Sequence, residues 1–318
     1  MLLMTKTIIY KDRKSYVQEH PFNLARFTRY FQELVDDMPE DVTIKQEVLD
    51  KVFNDVVEFI TSFERVQADK LVDYIIRVVN DNISADNPEL KWLSASASRR
   101  QLYKWVGMNR GFDYKKGYGD FYQLIKMGVE KGIYHEDLLK SYTKDEIDKI
   151  GKMIVPERDK LLDIAGMALL RANYLKKDYN EYPIELPQER YLVTVMFLMK
   201  DEDKKKRLNY IRKGYWATSN HYVGLATPTI ISGGTPKGSL SSCQIVTLDD
   251  DLINIFDVLK ETARFSQAGS GVGLFLGFLR ANGSWIRGYK GRASGVTHPS
   301  RLMSVLAEYV NQLGKPCA

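Results

Sequence analysis

A chain of 318 residues is long enough for two or three domains, and its 44% hydrophobic and 27% charged content is that of an ordinary soluble globular protein. The 46 basic and 41 acidic residues leave a net charge of +5 spread along the chain rather than gathered in a stripe, which argues against nucleic-acid binding. Two cysteines make no disulfide framework, no apolar run reaches about 18 residues, and the opening Met-Leu-Leu-Met-Thr-Lys is too short for a signal peptide, so membrane spanning and secretion are not indicated and a reducing cytoplasm is expected.

Residues 5 to 83 read as a small helical unit entered by two β-rich pieces, "KTIIYKDRKSYV", around a polar turn. Asn23 is placed to cap a helix carrying Leu24, Phe27, Phe31 and Leu34. Val48, Leu49, Val52, Phe53, Val56, Val57, Ile60 and Phe63 recur at helical spacing, and Leu71, Val72, Ile75, Ile76 and Val79 supply a third helix. Helices this short do not stand alone, so a bundle is expected. The polar segment "NISADNPELKW" (82–92) reads as a boundary. Beyond it, residues 93–221 form a second, mainly helical region in which Thr143 and Glu146 have capping-box spacing and Leu161, Leu162, Ala165, Ala168 and Leu169 continue the apolar pattern. The run "KDEDKKKR" (200–207) reads as an exposed helix start or loop.

From residue 222 the texture changes. "TPTIISGG", "SSCQIVTL" and "GVGLFLGFL" read as short strands, separated by turns and by the helical pattern of "INIFDVLKETARFSQ", and this alternation points to α/β architecture. The glycines of "AGSGVGLFLG" fit neither a phosphate loop nor a dinucleotide fingerprint; close backbone packing, or a backbone approach to a ligand, accounts for them better. The four histidines and two cysteines have no metal-ligand spacing, and the aspartates at 249–251 read as helix-start charges. On composition alone Cys243, at the start of what reads as a buried strand, is an inert core residue.

The succession Thr-Pro-Thr at 227, Ser-Ser-Cys at 241, Gly-x-Gly at 271 and "RANGSWIRG" from 280, together with "GIYHEDLLKSYTKDEIDKI" and "ERDKLLDIAGMALLRANYL", resembles the large, catalytic subunit of ribonucleotide reductase, most like class I, in order from about residue 5 to 315. The resemblance implies an α+β and α/β chain: an ATP-cone-like regulatory domain over 1–92, a helical domain over 93–221, and over 222–318 the first part of a ten-stranded α/β barrel. It implies that Cys243 is one of two thiols that reduce the 2′ carbon of a ribonucleotide and become a disulfide, with Thr227, Ser242 and Gly271 contacting the substrate. It places Asp250 at the ribose, Ser266 beside the nucleotide, Arg280 at phosphate and Ile286 against the base in an allosteric specificity site for a deoxynucleoside triphosphate or ATP, near the interface of a homodimer.

The cone departs from the family pattern. Its turn reads "YKDRK", with Arg13 where glycine would stand, and Val72 occupies an expected histidine position. Lys11 is assigned to phosphate, and a cone that has kept its fold but altered or lost nucleotide binding stands beside that reading. The implied partners are a radical-generating small subunit and thioredoxin or glutaredoxin as reductant, with no metal of the chain's own. The family's radical-bearing cysteine, second reducing cysteine, tyrosine relay and tail cysteine pair all lie downstream of the matched region. The end at "YVNQLGKPCA" falls in the loop that signals from specificity site to substrate, where Gln312 and Lys315 fit and Pro-Cys-Ala departs. A split gene completed in trans by a C-terminal polypeptide, a truncation, and a self-splicing element beginning at Cys317 are three readings of that end. A barrel with half its strands leaves an uncovered core, so alone the chain is expected neither to catalyse nor to be readily soluble. The rival functions are a non-catalytic nucleotide-binding or assembly relic and a purely structural helical protein.

Overall fold

The computed structural model describes residues 7–13, 16–288 and 290–310, with residues 11–13, 16 and 17 by their backbone alone. Gln312, Lys315 and Cys317 lie outside the described residues. The chain divides into two compact units, Met1–Leu124 with Ile147–Arg190, and Ile125–Glu146 with Tyr191–Ala318. The described part is mostly helical with two small sheets.

In the first unit, β1 (Ile8–Arg13) pairs antiparallel with β2 (Tyr16–Pro21) and parallel with β3 (Arg65–Gln67), so β1 is the central strand. Lys11 lies on β1 opposite Gln18; its side chain is outside the description. Helices α1 (Leu24–Asp36), α2 (Gln46–Thr61), α3 (Leu71–Asp81) and α4 (Leu90–Arg110) follow. Asn23 caps α1 as its sequence position indicates, its Oδ1 accepting the Arg26 N–H at 2.8 Å. The apolar periodicity becomes one core: Phe27, Phe31 and Leu34 meet Val52, Val56 and Ile60 and then Ile75, Val78 and Val79. Phe63 lies beyond the end of α2 and is 37% exposed, so the buried stripe stops at Ile60.

Helix α4 begins inside the polar 82–92 segment, and its Leu90, Leu93 and Ala97 complete the same core. The small side chains of "SASAS" bury this stretch completely, because they let neighbouring backbones approach on every side. The helix stops at Gly111, whose φ of +75° is a left-handed conformation that glycine adopts without a Cβ clash.

The remaining helices are α5 (Phe121–Glu130), α6 (Asp137–Lys140), α7 (Lys144–Gly151), α8 (Ile164–Leu169), α9 (Pro187–Leu198), α10 (Arg207–Ser219) and α11 (Thr227–Ser232). Around α8 the buried apolar residues are Leu162, Met167 and Leu170, whereas Leu161 and Leu169 are exposed; Leu161 ends a 3-10 turn (Pro156–Leu161) and Leu162 is extended, so the apolar pattern crosses from one element into the next. The expected capping box of α7 is present: Glu146 accepts the Thr143 N–H at 2.9 Å, and Thr143 Oγ1 accepts the Glu146 N–H at 3.3 Å. The run 200–207 is largely exposed, but its last member, Arg207, is buried over the Tyr142 ring and donates to both Glu146 oxygens at 2.6 and 2.7 Å.

"TPTIIS", expected as a strand, is instead α11. Pro228 in the first helical turn carries a φ suited to a helix start, and a lone six-residue apolar run does not distinguish strand from helix. The last elements are β4 (Cys243–Thr247), α12 (Leu252–Gln267), β5 (Gly271–Phe275) and α13 (Thr297–Tyr309). Strands β4 and β5 are parallel and joined through α12, a strand-helix-strand unit. One face of this pair is packed: Val246, Leu248, Val272 and Leu274 meet Val258 of α12 and Met303 of α13.

Candidate functional site

The period of two along β4 and β5 sends alternate residues to opposite faces. Val246 goes inward, while Cys243, Ile245, Thr247, Gly271, Gly273 and Phe275 lie on the exposed face, with Ile245 83% exposed. Cys243 is therefore a free, exposed thiol at a strand start, not the core residue that composition favours. The reason is register, which puts it on the face opposite the helices.

Cys243 stands directly opposite Gly271, and the Gly271 N–H donates to the Ser242 carbonyl at 2.8 Å. Three of the four expected substrate positions are thus one patch. The fourth, Thr227, opens α11, and that helix is tied to the chain leading into β4 by the Thr229 hydroxyl, which donates to the Leu240 carbonyl at 2.7 Å. A Cβ on Gly271 would come no nearer than 3.5 Å to the Ser242 carbonyl, and one on Gly273 no nearer than 3.8 Å to that of Gln244. Close packing therefore does not require glycine here; what the two glycines do is keep the backbone beside the thiol bare.

At the far end of β4 the aspartates divide their work. Asp251 caps α12 by accepting the Asn254 N–H at 2.9 Å, and the Asn254 side chain accepts the Asp249 N–H at 2.8 Å. Asp250 instead meets Arg280, with Nε to Oδ2 at 2.5 Å and both side chains about one-third exposed. Two residues expected at one ligand are thus side by side and neutralise each other. Arg280 also donates to the Trp285 carbonyl at 3.3 Å, which holds the loop carrying half-buried Ile286. Ser266 stands apart, buried near the end of α12 with no hydrogen bond to Asp250, Arg280 or Ile286. Sequence reasoning missed Arg292, which lies 4.0 Å over the Trp285 ring and donates to the Gly283 carbonyl at 2.8 Å, stapling the loop. The signal was an arginine and a tryptophan a few residues apart, a pair common enough to carry no weight until folded.

The first unit holds a separate cleft of about 1030 Å³ between α1, the start of α3 and α4. Arg26, Arg29, Arg100, Lys104 and Lys115 line it, as does Val72, the residue at the expected histidine position. Arg100 is paired with Glu33 at 2.6 Å and Lys104 with Asp69 at 3.5 Å, whereas Arg26, Arg29 and Lys115 have no carboxylate within 4.0 Å among the described residues. Basic residues that look scattered in the sequence are concentrated here by the packing of α1 on α4.

Among the described residues no group of three or more His, Cys, Asp or Glu side chains could hold a metal ion, and no helix is long and apolar enough to cross a membrane.

Comparison with known proteins matches residues 160–238 to the all-alpha domain of ribonucleotide reductase and residues 241–316 to its barrel domain. The chain is 31% identical over 252 residues to the ribonucleoside-diphosphate reductase subunit alpha of Synechocystis sp., covering 79% of this chain and 31% of that protein. It is 31% identical over 253 residues to the subunit alpha of Helicobacter pylori strain J99, covering 79% and 30%, and 28% identical over 232 residues to the ribonucleoside-diphosphate reductase 1 subunit alpha of Escherichia coli, covering 71% and 29%. The chain spans about a third of the length of these relatives. With an all-alpha segment followed by the opening strand-helix-strand unit of the barrel domain, the chain belongs to the ribonucleotide reductase large-subunit family.

Proposed function

We propose that this chain is the N-terminal part of a ribonucleoside-diphosphate reductase large subunit which, completed by the remainder of the barrel, reduces ribonucleotides to 2′-deoxyribonucleotides. The observation that carries this reading is the exposed Cys243 thiol against the bare backbone of Gly271, on a sheet face whose Ile245 and Phe275 are uncovered. A ribose laid on that face would meet the thiol with no side chain intervening at Gly271 or Gly273. In the reaction Cys243 and a second thiol from the rest of the barrel lose two electrons and two protons to form a disulfide; the 2′ carbon takes the two electrons and one proton as a new C–H bond, and the 2′ hydroxyl leaves with the other proton as water. A radical-generating small subunit starts the chemistry, and a thioredoxin or glutaredoxin restores the thiols. The setting is the cytoplasm, where such reductants keep thiols available.

Arg280 and Asp250 form the core of a specificity site in this reading, Arg280 for the phosphates and Asp250 for the ribose of a deoxynucleoside triphosphate or ATP, with Ile286 in the loop against the base. Ser266 stands beside the nucleotide in this reading, and the outer face of α12 meets a second subunit. The basic cleft of the first unit takes the phosphates of a second nucleotide at the cone, with Lys11 on the neighbouring β1 and Val72 as an apolar wall in place of histidine. A second reading, a nucleotide-binding subunit without turnover, is favoured by one observation: Asp250, Arg280 and the loop carrying Ile286 are already held together within this chain.

The deciding experiment reconstitutes the chain with the remaining part of a large subunit and a radical-generating subunit, and measures thiol-dependent deoxyribonucleotide formation beside dTTP binding. Turnover with the native chain and none with Cys243→Ser, at unchanged dTTP affinity, is expected. Turnover retained by Cys243→Ser removes the assigned role, and dTTP binding without any turnover establishes the second reading.

A further inference from the structure

A cleft of about 510 Å³ in the first unit, on the flank of α4 that faces α3 and α8, is not used by anything above. Arg171 projects into it from the π-helical turn Leu170–Tyr174, closed by the Leu175 N–H donating to the Leu170 carbonyl at 3.0 Å. Such turns reposition one side chain relative to a regular helix and recur at functional positions. The guanidinium lies 4.9 Å over the Trp105 ring and is held by two buried neutral groups: it donates to Ser98 Oγ at 2.6 Å and to Gln101 Oε1 at 3.0 Å. The charge has no carboxylate in contact and feels Asp73 only across Gln101. No carboxylate lies within 4.0 Å of Arg171 among the described residues, and the two acids that line the cleft are already engaged. Asp73 accepts from Gln101 at 2.8 Å and pairs with Lys70 at 3.4 Å, and Glu181 pairs with Lys177 at 3.3 Å. Gln101 thus stands between Asp73 and Arg171, separating an ion pair that a shorter path would close.

A half-buried cation with no carboxylate in contact is costly, and an incoming anion lowers that cost. The cleft mixes polar residues with an apolar wall made by Trp105, Ile76, Leu102, Ile164 and Leu175. The volume suits a small ligand. We propose that this cleft binds a small organic monocarboxylate with an aromatic or branched apolar body, its carboxylate on the guanidinium of Arg171 and its body on Trp105 and Leu102. A planar guanidinium matches a carboxylate geometrically, and the engaged but nearby Asp73 and Glu181 disfavour a more highly charged anion.

The test is calorimetric titration of the full chain with sodium phenylacetate, with neutral phenylacetamide and inorganic phosphate as controls. Saturable binding of phenylacetate, weakened at least tenfold by Arg171→Gln and by Ala168→Leu, with no binding of phenylacetamide, is expected. Ala168 lines the cleft and is exposed, so Ala168→Leu fills the space while leaving Arg171 in place, and it decides the matter if Arg171→Gln does not fold. No saturable phenylacetate binding, equal binding of phenylacetamide, or binding undiminished in Ala168→Leu would overturn the assignment. Phosphate binding of equal strength with the same dependence on Arg171 would replace the carboxylate with an inorganic anion.

Discussion

Around α4 the buried carboxylates are met by cations or hydrogen-bond donors, whereas around β4 and β5 apolar side chains are exposed and uncovered. In the first region Arg110 and Glu189 pair at 2.8 Å with almost no exposure, Arg190 and Glu185 pair at 3.0 Å with none, and the Asp159 carboxylate accepts from Tyr103, Tyr118 and Gln188 at 2.6 to 2.7 Å. In the second, Ile245, Phe275, Phe278, Ile253 and Val305 are all about half exposed or more. A buried ion pair adds little net stability but penalises its own disruption, so the first region tolerates few alternatives to its present packing. An exposed apolar face has the opposite economy: it loses nothing within this chain when altered, and its cost lies in what is left uncovered.

The contrast is broken most directly at Arg110. Arg110→Met leaves Glu189 buried, where burial already pushes its carboxyl up against the opposing pull of Arg110, and is expected to destabilise the chain by about 3–5 kcal/mol in urea denaturation at neutral pH. The double variant Arg110→Met with Glu189→Met should recover most of that loss; a loss in the double variant as large as in the single would mean that packing, not the unpaired charge, is at stake.

A smaller effect comes from Asp159, whose carboxyl burial pushes up to about 6 despite its three donors. A folded-state value above the unfolded one means that the folded protein holds the proton more tightly. The associated stability is full below about pH 4 and is lost as pH rises through about 6, a swing of about 3 kcal/mol at most. Glu146 has the opposite sign. Burial pushes it up, but the Arg207 and Thr143 hydrogen bonds outweigh burial and hold it below the usual carboxylate range, so its contribution is present above the unfolded value and lost in acid. Urea midpoints measured from pH 4 to 7 should show the Asp159 decline, and Asp159→Asn should flatten it. An unchanged slope in that variant would assign the decline to other groups.

The smallest expected effect sharpens the contrast from the other side. Ile245→Thr, on the open sheet face, should change the stability of the chain by no more than about 0.5 kcal/mol. The same substitution should weaken assembly with the rest of the barrel in the reconstitution assay. A large loss of stability in the isolated chain would show instead that Ile245 is already covered.

Much of this was legible in the sequence because it depends on neighbours along the chain. Asn23 as a cap, the Thr143 and Glu146 capping box, the stripe at Val52, Val56 and Ile60, and α12 between two strands are local patterns with local causes. The succession Ser-Ser-Cys, Gly-x-Gly and "RANGSWIRG" carried the family. "TPTIIS" was misread because so short a run rich in β-branched residues fits either period, and the pattern through Leu161 and Leu169 because the break between a 3-10 turn and α8 cannot be seen in apolar spacing.

What the sequence by itself determined, then, is the caps at Asn23 and Thr143, the buried stripes of the first helices and the family, since each is written in short local motifs. Only the tertiary structure decided that Cys243 is exposed opposite Gly271, that Arg26, Arg29 and Lys115 share one cleft, and that Arg171 meets Ser98, Gln101 and Trp105 with no carboxylate within 4.0 Å among the described residues. The physical reason is the same in each case. Burial, register and counter-ion are properties of residues brought together across tens of positions, and periodicity along the chain does not encode which distant face each side chain will meet.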